Sequence, residues 1–237
     1  MKIDINCDLA EGMPNDKAIM PYITSANIAC GFHAGNTEIM KRTVDLCLKH
    51  GVKIGAHPGF LDKDNFGRTE MHVSDSIISE WITEQILLLQ KICTGVGTII
   101  HHVKPHGALY NMSARDAHLA RLIAETVKKL SNQLIIYGLS GSVSISEAEK
   151  IGLKTANEVF ADRTYQNDAT LTPRTHKNAL IEDTDVAVKQ LLQIINHKKV
   201  TTVSGVQIPM TAQTVCIHGD GKHALEFSKK IRQVINK

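Results

Sequence analysis

The chain has 237 residues, 43% hydrophobic and 22% charged, and a formal net charge of +3 from 27 basic and 24 acidic side chains. That length suits one large domain or two small ones at roughly 150 residues each, and the composition is that of a folded protein, not a disordered tail. The charges are interspersed, no run of 18 apolar residues occurs, and the N-terminus opens on the alternating Lys2-Ile3-Asp4-Ile5-Asn6, so nucleic-acid binding, a membrane span and a signal peptide are not expected and a cytoplasmic location is.

β-branched runs alternate with amphipathic stretches, the pattern of β/α units around a parallel sheet. Strands are predicted near residues 2–9, 25–29, 52–56, 99–104, 134–137, part of 154–162, and 214–218, seven in all. Helices are predicted over 37–50, from a cap at Ser74 through Ile78, Ile82, Ile86, Leu89 and Cys93, then over 113–130, 142–151 with Ser144 and Glu147 as a capping box, 185–196 and 222–234. Residues 57–73 and 158–183 read as long polar loops, which in compact domains are usually functional. Residues 200–209, with Ser204-Gly205 at their centre, read as an inserted hairpin. No linker or repeat divides the chain, so residues 1–237 are expected to form one α/β domain, a (β/α) barrel.

Polar residues gather at the predicted strand ends. Asp8 and Glu11 follow the first strand, His33 the second, His57 the third, Lys104 and His106 the fourth, Glu158, Asp162 and Arg163 lie near the sixth, and His218 with Asp220 follows the seventh. In a parallel barrel these ends share one face, so the groups converge on one mouth. Lys104 precedes Pro105, which favours an extended backbone, and it alternates with His102 on one strand face. A lysine aimed into a barrel requires a carboxylate or a ligand anion. His101 points the other way and is read as packed. Asp8 and Glu11 with His33 and His57 form a mixed carboxylate and imidazole set suited to zinc, manganese or a related ion, though no H-E-x-x-H spacing defines it. The five cysteines, Cys7, Cys30, Cys47, Cys93 and Cys216, lack a C-x-x-C pair, and Cys30 is read as packing and not as a nucleophile. No phosphate loop or dinucleotide fingerprint is present, and Gly138-Leu139-Ser140-Gly141-Ser142 lacks the last glycine of a nucleophile elbow.

The runs Asn6-Cys7-Asp8-Leu9, Ser25 to Gly35 (SANIACGFHAG), Gly55-Ala56-His57-Pro58, Phe66-Gly67-Arg68, Lys104 to Asn111 (KPHGALYN), Glu158 to Arg163 (EVFADR) and His218-Gly219-Asp220 resemble the LamB/YcsF family, the A subunits of ATP-hydrolysing 5-oxoprolinase. The resemblance spans nearly the whole chain in order. It implies a seven-stranded barrel of the glycoside hydrolase/deacetylase type. It also implies ATP-dependent opening of 5-oxo-L-proline to L-glutamate with release of ADP and phosphate, in company with B and C subunits and with magnesium accompanying ATP. The chain departs from the pattern at Ala10 and Ala169, where glycine is usual, and at Thr69, where a second arginine is usual.

Candidate catalytic residues are therefore Asp8, Glu11, His33, His57, Lys104 and His106. Asn27, Arg68, Asp162, Arg163, His218 and Asp220 are candidates for holding substrate or nucleotide, and Asp8, His33 and His57 for holding a metal. Two other functions use the same residues: an ATP-independent, metal-dependent amidohydrolase or deacetylase, and a non-catalytic subunit that carries the substrate.

Overall fold

A computed structural model describes residues 3–218 and 224–235. In chain order the elements are β1 (Asp4–Leu9), α1 (Asp16–Ile19), a 3-10 turn (Met20–Tyr22), β2 (Ser25–Ala29), α2 (Thr37–His50), β3 (Lys53–His57) and α3 (Asp75–Gly95). They continue through β4 (His102–Val103), α4 (Gly107–Ser113), α5 (Ala117–Leu130), β5 (Ile135–Leu139), α6 (Val143–Lys150) and β6 (Lys154–Phe160). The last are α7 (Thr184–His197), β7 (Lys199–Thr201), β8 (Gln207–Pro209), β9 (Thr214–His218) and α8 (Ala224–Ile235).

Seven parallel strands close into a barrel in the order β1-β2-β3-β4-β5-β6-β9, and the antiparallel pair β7-β8 is the expected hairpin before the last strand. The expected strand near residues 99–104 is shorter than its sequence suggests. Only His102 and Val103 pair as strand, although His101 N donates to Ile54 O at 2.7 Å and Lys104 N to Ala56 O at 3.0 Å on either side. Pro105, which has no N–H, ends it.

Three helix expectations are corrected. The helix expected over 113–130 begins only at Ala117, as α5, because Asp116 accepts from His118 N and Leu119 N and caps it, while Ser113 is the last residue of a separate helix, α4. Ser74 occupies the N-cap of α3 without a side-chain cap bond, its hydroxyl lying 2.9 Å from that of Ser76. Ser144 is inside α6 and its hydroxyl meets that of Ser142, while Glu147 pairs with Lys150, so no capping box forms. No described helix is long and apolar enough to cross a membrane.

Strand alternation divides the side chains into two sets. Ile5, Cys7, Leu9, Ala26, Ile28, Ile54, Val103, Ile136, Val159, Val215 and Ile217 are buried, alternating along their strands with the residues that meet inside the barrel. Against them pack buried helix residues such as Met40, Ile82, Ile86, Leu89, Ile123 and Leu191. The barrel interior is polar: Asn6, Asp8, Asn27, His102, Lys104, Glu158 and Thr214 are all buried there and bond across it. At its lower end Asp4 accepts from Thr24, Ser25, Tyr137 and Thr214. Gly55 lets this packing exist, since a Cβ at that position would lie 2.1 Å from His102 Nε2.

Ala10 and Ala169 stand in the left-handed region at φ 64° and 68°. These are the two positions at which glycine is the expected residue, and the methyl group there is strained by its own backbone. Replacing half-buried Ala169 relieves the strain with little loss of packing. Ala169→Gly is expected to stabilise the chain by about 0.5–1 kcal/mol, a rise of about 1–4 °C in Tm for this size, read by thermal denaturation.

Candidate functional site

The strand ends of β1, β3 and β4 and the loops after β3 and β6 enclose a cavity of about 850 Å³. Asp8, Glu11, His57, Lys104 and His106 line it together with Arg68, Arg163 and Arg174. His33, Asn27 and Asp162 are buried but do not line it. His218 ends β9 opposite Asp8 in the backbone register, and Asp220 lies outside the described residues.

Lys104 is the hub of the floor. Its ammonium donates to Asp8 Oδ1 at 2.9 Å, to Cys216 Sγ at 3.0 Å and to Asn6 Oδ1 at 3.3 Å, and lies 2.9 Å from Glu158 Oε1. Burial pulls its pKa down, but the carboxylates of Asp8 and Glu158 outweigh burial and hold it well above the ordinary lysine value. The lysine is charged. Burial, reinforced by Asp8, pushes the Cys216 thiol up, so the group that meets the ammonium is a neutral thiol. Asn27 holds Asp8 from the other side, donating to its Oδ1 at 2.7 Å while accepting from His102 Nε2 at 2.7 Å.

A second cluster adjoins the first. Glu11 Oε1 lies 3.4 Å from His33 Nε2, 3.4 Å from His106 Nδ1 and 3.9 Å from His57 Nε2. His57 Nε2 and His106 Nδ1 are 2.9 Å apart, and Asp8 Oδ2 is 3.5 Å from His57 Nε2. One ligand atom from each of Glu11, His33, His57 and His106 falls within 4.8 Å of the others, so the group could hold a metal ion. Asp8, expected in such a set, stands beside it and is engaged by Lys104, whereas Glu11 and His106 stand inside it. His33 stacks on His106 with centroids 3.7 Å apart, and burial, then His57, holds its pKa down at about 2. The loop crosses this cluster closely: a Cβ on Gly67 would lie 2.8 Å from His33 Cβ, and Phe66 before it takes φ 56°.

Arginines supply the upper wall. Arg163 is buried and donates to Ala179 O and Thr172 O, tying down the loop after β6, and burial lowers its pKa to about 10. Arg68 lies over the Phe66 ring at 4.8 Å, on the exposed rim. Cys30 is buried with its thiol on Ile28 O, and burial pushes its pKa up to about 12, the state of a packing residue. Sequence alone places Glu158 with the converging polar residues but gives it no task, and it assigns no role to Asn6, Cys216 or Arg174; for Glu158, Asn6 and Cys216 the inward face is the common feature. The available signal is strand alternation, which puts Asn6, Glu158 and Cys216 with Asp8, Lys104 and Thr214.

The arrangement juxtaposes a fixed cation, the carboxylates of Asp8, Glu11 and Glu158, three imidazoles and an arginine wall. It can bind a small anion, polarise a carbonyl and move protons at the floor.

The LamB/YcsF family profile matches residues 3–237. The chain is 48% identical over 239 residues to a Brevibacillus brevis protein named as the A subunit of 5-oxoprolinase, covering 99% of this chain and 94% of the relative. Against the Bacillus subtilis (strain 168) protein of the same name it is 48% identical over 237 residues, covering 98% and 92%. The crystal structure of a lactam utilization protein from Thermus thermophilus superposes with a TM-score of 0.92 at 37% identity, over 100% of this chain and 96% of that one.

Two outcomes follow from the floor's electrostatics. Lys104→Met leaves Asp8 and Glu158 as buried carboxylates without their cation, so the expected loss is about 3–5 kcal/mol in urea denaturation. Burial between two carboxylates makes Lys104 part of the fold as well as of the site.

His102 makes the stability of the interior depend on pH. Burial, then His101, holds its pKa well below 6.5, so the folded chain keeps it neutral while the unfolded chain protonates it. Stability is therefore full above about pH 6.5 and falls as the pH drops, by about 1.4 kcal/mol per pH unit for this one group. Replacing the ring by an amide, His102→Gln, should lower the slope of unfolding free energy against pH by that amount between pH 6 and 5.

Proposed function

The chain belongs to the LamB/YcsF family, and from that membership and the chemistry of the cavity we propose that it is the A subunit of an ATP-dependent 5-oxoprolinase, working with B and C subunits in the cytoplasm. The observation that carries the reading is the charged Lys104 between Asp8 and Glu158 at the floor of a cavity walled by Arg163 and rimmed by Arg68 and Arg174. 5-Oxo-L-proline is a small anion with a lactam carbonyl, and such a cavity offers cations for its carboxylate and proton carriers for its ring.

A lactam carbonyl is a poor electrophile. Transfer of the γ-phosphoryl group of ATP to its oxygen makes the ring carbon reactive. Water then adds to that carbon, the C–N bond breaks with the nitrogen taking a proton, and a second water releases phosphate from the resulting acyl phosphate, leaving glutamate. In this reading Asp8 takes a proton from the attacking water and returns it to the ring nitrogen, Lys104 and Arg163 stabilise the developing anion and the phosphoryl oxygens, and His57 and His106 shape the floor beside Asp8. Glu11 orients the imidazoles. His33, behind the wall, and Asn27, beneath Asp8, position their neighbours, while Arg68, Asp162, His218 and Asp220 belong to substrate or nucleotide binding. Magnesium would accompany ATP. The imidazole and carboxylate cluster also favours a second reading, a metal-dependent amidohydrolase that needs no ATP.

The test is phosphate and glutamate release from 5-oxoproline by this chain alone and with its B and C partners. The expected outcome is coupled turnover only in the full assembly, with a calorimetric response of the isolated chain to 5-oxoproline. Glutamate formation by the chain alone without ATP would instead establish the amidohydrolase. Arg163→Lys should reduce coupled turnover by about 10²-fold or more, the usual cost of a lost contact to a developing anion.

A further inference from the structure

The imidazoles at the floor are one positive charge short. His57 Nδ1 lies 2.7 Å from Lys104 O and His106 Nε2 lies 2.8 Å from Phe66 O. A carbonyl oxygen only accepts, so both of those nitrogens carry hydrogen, and a neutral imidazole has one N–H. The remaining nitrogens, His57 Nε2 and His106 Nδ1, are therefore both bare, yet they face each other at 2.9 Å. The carboxylate oxygens add to the same convergence, Glu11 Oε1 at 3.4 Å from His106 Nδ1 and 3.9 Å from His57 Nε2, and Asp8 Oδ2 at 3.5 Å from His57 Nε2. Buried acceptors gather so closely only around a cation.

We propose that the cation is a divalent first-row transition metal held by Glu11, His57 and His106, and that His33, which the distances alone would include, is a positioning residue and not a ligand. Bonds of about 2.0–2.2 Å place neighbouring ligand atoms about 2.9–3.5 Å apart, close to the separations of these three groups. The backbone carbonyls that lock both tautomers are the usual outer partners of metal-bound histidine, and two imidazoles with one carboxylate suit zinc, manganese or cobalt. His33 differs in two ways. Its ring is stacked on His106 at an interplanar angle of 3°, so their in-plane lone pairs lie in separate, parallel planes and do not meet at one point. It is also absent from the cavity wall, where Glu11, His57 and His106 all stand. A metal among those three would face the cavity beside Asp8, the placement of an ion that polarises a substrate oxygen. The proposal rests on the ring contacts and does not require the oxoprolinase reading.

The experiment uses the full chain without partners or ATP. After dialysis against a chelator, it is titrated with Zn²⁺, Mn²⁺ and Co²⁺ by calorimetry, with elemental analysis of the loaded protein. One ion per chain is expected. His57→Ala, His106→Ala and Glu11→Gln should each weaken binding by about 100-fold or more, beyond the usual effect of losing an outer partner. His33→Phe, which keeps a stacked ring, should leave affinity nearly unchanged. If a ligand variant does not fold, the Co²⁺-loaded wild-type chain decides by NMR: two strongly shifted exchangeable imidazole protons support the set, and three place His33 in it and overturn the assignment. A folded wild-type chain that binds none of these ions at millimolar concentration overturns the proposal and leaves a shared proton as the missing charge.

Discussion

The buried ammonium of Lys104 is the constraint on which the rest of the interior depends. A lysine stripped of water is costly unless its charge and its hydrogen-bonding hydrogens are met, and here the partners come from three strands: Asp8 and Asn6 on β1, Glu158 on β6 and Cys216 on β9, with Lys104 itself just beyond β4. Elements far apart in the chain are thereby held to one register. Asp8 is pinned in turn, since Lys104 and Asn27 both donate to its Oδ1, which leaves its Oδ2 toward His57. The polar lining is thus a structural network as well as the foundation of the site.

Backbone shape does the second part of the work. The imidazoles are oriented by carbonyls, Lys104 O for His57 and Phe66 O for His106, so their tautomers are decided by the main chain. Phe66 delivers its carbonyl from a left-handed conformation, and Gly67 passes where any side chain would strike His33 or His106. Strain of this kind persists only where surrounding contacts over-determine the geometry. The loop after β6 is held likewise: the Arg163 guanidinium binds two of its carbonyls, Tyr165 OH accepts from Phe160 N, and Gln190 on α7 donates to Phe160 O and Arg163 O. An arginine on the cavity wall is therefore also a clamp on that wall.

The barrel itself was legible in the sequence, because local periodicity determines which stretches can be strands or helices and polar residues at successive strand ends can converge only if those strands are parallel. Helix α2, with Asn36 capping it and Gly51 closing it, has the bounds its pattern predicts. Where a boundary depends on competition between local bonds the pattern is insufficient: Asp116 restarts a helix, and Ser142 and Ser144 bind each other and leave the backbone uncapped.

Sequence alone determined the fold class, the inward face shared by His102 and Lys104, and the set of side chains from which a site could be built. Tertiary structure decided how they combine. It joined Glu11 to His106, gave Asp8 to Lys104, stacked His33 out of the cavity and brought Glu158 under the floor. These are contacts between strand ends separated by dozens of residues, set by barrel closure and by which carbonyl each ring meets. Periodicity reports the face on which a side chain lies; only closure of the barrel reports what it faces.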